Sequence, residues 1–127
     1  MTNDREVAKQ VGQLFHTEIR SSNPSATAAF VADVLGWTVV DTPSPSHKIF
    51  ETPGGFEGHI GPVPETDIMP SAINYVLVSD IAKAEEKIVN SGGSIVVPRQ
   101  EAQGRGLYTW FEMPGGIQMV AWQDLNT

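Results

Sequence analysis

The hydrophobic and polar positions of this chain spell one string of elements twice. Leu14 to Arg20 alternates with the two-residue period of a half-buried strand. Asn23-Pro24 then opens a helix, because Asn caps well and Pro suits the first helical position. Ala26, Phe30 and Val34 recur at helical spacing, with Val31 and Leu35 widening the stripe, so this face is expected to be core. Gly36 is placed to end the helix in a left-handed conformation. Trp37 to Val40 reads as a strand, and Ile49 to Phe50 with Phe56 to Ile60 as a hairpin around Pro53-Gly54-Gly55. In the second half Ile73 to Ser79 is a strand, and Asp80 caps a helix that buries Ile81, Ala84 and Ile88. Gly92-Gly93 stops that helix, and strands follow over Ile95 to Val97, Leu107 to Phe111 and Ile117 to Trp122. Pro98 to Gly106 reads as a flexible loop carrying Arg105.

The doubling is visible in the residues themselves. Phe50-Glu51-Thr52-Pro53-Gly54-Gly55 returns 61 positions later as Phe111-Glu112-Met113-Pro114-Gly115-Gly116, each turn expected to need a positive φ at one of its glycines. Gly36-Trp37-Thr38-Val39-Val40 is echoed 57 positions on by Gly93-Ser94-Ile95-Val96-Val97. The expected fold is α+β, two βαβββ modules whose curved mixed sheets form a cup. The boundaries are a polar leader over 1–11, a first module over 12–60, a linker over 61–71 and a second module over 72–123. One helix covers only one face of each sheet, so neither half is expected to fold alone. A concave surface between two such sheets is a small-molecule site by default.

Composition narrows the partners. The 127 residues suit one domain, and 8 basic against 15 acidic residues leave a net charge of −7. Binding to nucleic acid or to an anionic membrane surface needs positive patches and is not expected. With no cysteine there is no disulfide, thiolate metal site or catalytic thiol. The longest apolar stretch, Ala28 to Trp37, is broken by Asp33, and the start Met1-Thr-Asn-Asp-Arg-Glu lacks the pattern of a secretory signal. A cytoplasmic protein is expected. A homodimer is expected too, because an exposed sheet edge favours association.

His16-Thr17-Glu18-Ile19-Arg20, Phe30 with Val34-Leu35-Gly36-Trp37, Asp80-Ile81 with Ala84 and Gly92-Gly93, Val97-Pro98 and the paired Pro-Gly-Gly turns together resemble one family. It is the glyoxalase / bleomycin-resistance / extradiol-dioxygenase superfamily, also called vicinal oxygen chelate proteins. The resemblance covers Leu14 to Gln123. It implies a metal site with ligands from the first and last strand of each module. Those positions fall on His16, His59, Asn74 and Val120, of which only the two histidines suit a transition metal.

Strand alternation sets Glu18 beside His16 and Glu57 beside His59, making these carboxylates the candidate catalytic groups. The resemblance also implies that Arg20 holds an acidic group of the ligand, for which a guanidinium fork is well suited. Asn74, Gln118 and Trp122 complete the candidate ligand-binding set, Trp122 as a stacking wall. The reading that follows is a small-molecule-binding superfamily member, with no metal or a weakly held one (Zn, Ni, Fe or Mn). Two alternatives stand beside it. One is a divalent-metal-dependent lyase, isomerase or dioxygenase using His16 and His59. The other is a drug-sequestering resistance protein.

Overall fold

The computed structural model describes residues 10–63 and 71–125. Most of the polar leader and the linker residues 64–70, including Pro64 and Pro70, lie outside the described residues. The element order is β1 (Leu14–Ser21), α1 (Pro24–Leu35), β2 (Thr38–Asp41), β3 (Lys48–Glu51), β4 (Glu57–Pro62), then β5 (Ser71–Leu77), α2 (Ile81–Asn90), β6 (Ser94–Ala102), β7 (Gly106–Glu112) and β8 (Gln118–Asp124). The class is α+β, and the βαβββ string occurs twice. Residues 16–73 form one compact unit, and residues 74–125 with 10–15 form the other.

The two units use the same wiring. In the first, the strands lie in the order β2-β3-β4-β1, with β1 parallel to β4 and the other pairs antiparallel. In the second the order is β5-β8-β7-β6, with β5 parallel to β8 and the rest antiparallel. The repeated turns are closed by matching hydrogen bonds. Thr52 N donates to Phe56 O at 2.7 Å and Gly55 N to Thr52 O at 3.0 Å; Met113 N donates to Ile117 O at 2.7 Å and Gly116 N to Met113 O at 3.0 Å. Both glycines of each turn have positive φ, from 86° to 97°, where one per turn was expected.

Helix α1 is capped as its sequence suggests. The Asn23 side chain accepts from Ala26 N, and Gly36 closes the C-terminus at φ 71°. Its buried face meets the expected stripe only at Val31. Ala28 and Val31 enter the core with Phe50 and Ile60, while Phe30 and Val34 are 59% and 57% exposed. Two constraints set this roll. Ser21 Oγ bonds Thr27 Oγ1 at 2.6 Å, which turns the Thr27 side of the helix inward. The volume over the sheet is already filled by Phe50, stacked on Trp37 at 4.7 Å, so small side chains face it. Helix α2 follows expectation: Ile81 is buried and Ile88 packs beside Phe111 and Ala121. Its amide entry is held by Asp80, which accepts from Lys83 N, and by Gln123, which accepts from Ile81 N.

The stretch read as a loop from Pro98 is largely strand, since β6 runs on to Ala102. Pro98 is tolerated because β6 is the last strand of its sheet and its pairing with β7 shifts register between Val97 and Gln100. Strand β4 likewise continues through Gly61 and Pro62, into the stretch read as linker.

Two substitutions check this packing. Phe50→Ala should cost about 3–5 kcal/mol, as for a buried Phe, whereas Phe30→Ala should change stability by about 0.5 kcal/mol or less, both read by urea denaturation. Gly54→Val and Gly115→Val should each cost about 1–3 kcal/mol through backbone strain alone, because open space surrounds both positions.

Candidate functional site

The site of the first unit follows from one register. Strand β1 pairs in parallel with β4 so that His16 lies opposite Glu57, Glu18 opposite His59 and Arg20 opposite Gly61. Alternation puts these six residues on one face, while Ile19 and Ile60 turn to the other and pack under α1. The expected grouping of His16, Glu18, Arg20 and His59 is therefore present.

His16 Nε2 and His59 Nδ1 are 2.8 Å apart and share a hydrogen bond, one nitrogen donating and the other accepting. Arg20, only 8% exposed, donates from Nε to Glu18 Oε2 at 3.0 Å. Glu18 Oε1 lies 3.9 Å from His59 Nε2, so the carboxylate faces both the guanidinium and the imidazole. Burial lowers the pKa of His59 below its ordinary 6.5; the Glu18 charge opposes this, and His47 and Arg20 add to it. Glu57 is exposed and its side chain makes no hydrogen bond or ion pair among the described residues, which separates it from this cluster.

His47 stands outside the periodic segments of the sequence, yet it joins this face. The chain holds three histidines, and the third ring lies over Gly61: a Cβ there would sit 3.0 Å from His47 Cδ2 and 3.1 Å from Nε2. Only its place in Pro43-Ser44-Pro45-Ser46-His47, a clipped turn just before β3, hinted at a fixed position.

The second unit carries different chemistry at matching positions. Tyr75 pairs with Val120 as Glu18 pairs with His59, so Ile73, not Asn74, corresponds to His16. Asn74 alternates onto the face with Val76, which packs beside α2; this corrects its placement among the ligand positions. Val120, Trp122, Tyr108 and Trp110 share the face turned away from α2. Trp122 stacks near-parallel on Tyr108 at 6.3 Å, meets Tyr75 and Phe15 at 6.1 and 6.4 Å, and donates from Nε1 to Asp124. Gln118 donates to Glu112.

The donor set of this face is short for a divalent metal. Among the described residues no three His, Asp or Glu side chains come together in a way that could hold one. His16 and His59 fill only part of a ligand set, and Glu18 is already engaged with Arg20. The residues in place do not fit a tightly bound metal.

The model of the Glyoxalase/Bleomycin resistance protein/Dioxygenase superfamily matches residues 13–120. The chain belongs to this superfamily. A relative from Mycobacterium tuberculosis, described as "Putative glyoxylase CFP32", is 25% identical over 113 residues, spanning 84% of this chain and 43% of its own. The chain thus spans less than half the length of that relative. Among solved structures, a Mn(II)-bound glyoxalase from Novosphingobium aromaticivorans superposes with TM-score 0.63 at 20% identity, covering 90% of this chain and 38% of that one. Methylmalonyl-CoA epimerase from Mycobacterium tuberculosis gives 0.64 at 13% identity, with 92% and 91% covered. At these identities the structures show a shared fold. No helix of the described residues is long and apolar enough to cross a membrane.

The lowered pKa of His59 makes a sign-definite prediction. Between the lower folded value and 6.5, the unfolded chain binds the extra proton, so this contribution to stability is full above pH 6.5 and is lost as the pH falls through the folded value. Urea unfolding at pH 7.5, 6.5 and 5.5 should show wild-type stability falling more steeply than that of His59→Asn.

Proposed function

We propose that this superfamily member binds a small organic molecule bearing an acidic group, without a tightly held metal. The polar face of β1 and β4 forms the binding surface. The observation that carries this reading is Arg20, nearly buried on the same face as the His16–His59 pair. A buried guanidinium is costly unless paired, and Glu18 offsets part of that cost while leaving a planar, multi-donor cation at the surface of the sheet. The two imidazoles supply uncharged hydrogen-bonding groups beside it, and burial keeps His59 toward its neutral form.

A second reading is favoured by the His16–His59 distance itself, since two imidazoles 2.8 Å apart are also a partial metal chelate. In that reading the chain is a metal-dependent lyase, isomerase or dioxygenase, in line with a neighbour that is a Mn(II)-bound glyoxalase.

Elemental analysis of the purified protein, together with thermal-shift titration of small mono- and dicarboxylic acids, separates the two. The proposal expects metal far below one equivalent, stabilisation by at least one acid, and a ten- to hundredfold weaker midpoint in Arg20→Gln, corresponding to about 1.5–3 kcal/mol for a charged hydrogen bond. Turnover of the methylglyoxal–glutathione hemithioacetal should be absent with or without added Ni or Zn. Stoichiometric Zn, Ni, Fe or Mn that disappears in His16→Ala, accompanied by turnover, would overturn it in favour of the second reading.

A further inference from the structure

The loop that delivers His47 is built to hold one imidazole in place. The single Thr42 hydroxyl proton is shared between Ser44 O at 2.9 Å and His47 O at 2.8 Å, which closes the turn from within. Ser44 Oγ and Ser46 Oγ lie 3.0 and 3.2 Å from His47 Nδ1, so two hydroxyls bracket a single ring nitrogen. The other nitrogen, Nε2, makes no hydrogen bond among the described residues and lies over Gly61. A Cβ at Gly61 would be 3.0 Å from the ring, a contact tight enough that the imidazole would have to shift. Glycine there lets the imidazole rest on the strand. Gly61 is the register partner of Arg20, and adjacent strands lie about 4.8 Å apart. The imidazole thus lies over the strand neighbour of Arg20, on the face that Arg20 occupies. A proton on His47 would lower the pKa of His59 further, so the two rings are electrostatically coupled.

We infer that His47 is a ligand-contacting residue: with Nδ1 accepting from one of the serine hydroxyls, its Nε2–H donates to an oxyanion, carboxylate or phosphate, that Arg20 holds from the neighbouring strand. This rests on the reading of the face as an acid-binding surface and adds to it a specificity-determining group from outside β1 and β4. The chemistry is that of a two-sided clamp. Arg20 supplies charge from β1, and His47 supplies a directed donor whose ring rotation is stopped by Ser44 and Ser46. A compact oxyanion with oxygens on two sides engages both, whereas a neutral carbonyl compound engages neither strongly.

The test titrates sodium malonate and, separately, inorganic phosphate into the wild-type chain at constant ionic strength. Imidazole and guanidinium signals are followed by ¹⁵N–¹H correlation spectroscopy, with sodium chloride as the control. The inference expects His47 Nε2 and Arg20 Nε to shift with one common midpoint. It also expects His47→Ala to weaken that midpoint about fivefold or more with its melting temperature unchanged, and Ser44→Ala with Ser46→Ala to weaken it in the same direction. The tighter of malonate and phosphate identifies the oxyanion class. If Arg20 and His59 respond while His47 does not, and His47→Ala binds as the wild type does, the inference falls and the acid-binding reading stands. If neither anion moves any of these groups beyond the chloride control, both fall together.

Discussion

The parallel pairing of β1 with β4 is the constraint on which the polar face depends. Side chains alternate along a strand, so His16, Glu18 and Arg20 must share a face once any one of them is placed. The pairing then decides what they meet: Glu18 opposite His59 brings one carboxylate between a guanidinium and an imidazole. Slipping the register by one residue would send His59 under α1 and expose Ile60, which is fully buried. The apolar core beneath α1 therefore enforces the polar geometry above it. Stability and site are two consequences of one register.

The internal repeat makes the scaffold symmetric and leaves the chemistry unsymmetric. Both Pro-Gly-Gly turns close with the same pair of hydrogen bonds, and both modules set a parallel strand pair at the same place. At matching positions the first unit carries Glu18 and His59, and the second carries Tyr75 and Val120. Ionisable groups gather in one unit, and rings gather in the other around Trp122. Turn geometry depends on backbone φ and recurs wherever glycine recurs. Face chemistry depends only on side chains that the core does not constrain, so it is free to diverge.

This division also explains what the sequence made legible. The βαβββ string, the caps at Asn23 and Asp80, and the α2 stripe of Ile81 and Ile88 are local patterns, and they are seen as read. The grouping of His16, Glu18, Arg20 and His59 needed only alternation and one correct pairing. Misreadings arose where a distant partner decides. The roll of α1 is set by Ser21 and by the bulk of Phe50, so Phe30 faces outward despite its helical spacing. The resemblance implies Asn74 as the second module's first-strand position, and ladder pairing shifts that position by one residue to Ile73, which reverses the face. Pro98 looks like a breaker until β6 is known to be the last strand of its sheet, with a shifted ladder. His47 stands outside every periodic segment, and only folding sets it over Gly61.

The balance between hydrogen-bonding and metal-binding roles turns on a third donor, not on the histidine pair. While His16 and His59 share a proton, their two nitrogens cannot both offer lone pairs. Breaking that bond costs about 0.5–1.5 kcal/mol, small beside the roughly 10–16 kcal/mol of a complete structural zinc site. The pair alone would therefore yield to a metal if the rest of a ligand set were present. Glu18 is the nearest carboxylate, and recruiting it means taking it from Arg20, leaving a nearly buried guanidinium without that partner. Removing one partner of a buried pair typically costs about 3–5 kcal/mol. Glu57 is exposed, and the matching positions of the second module are Ile73 and Val120, which cannot ligate. The same Arg20 that suits the face to an acidic ligand thus withholds the carboxylate that a metal would need.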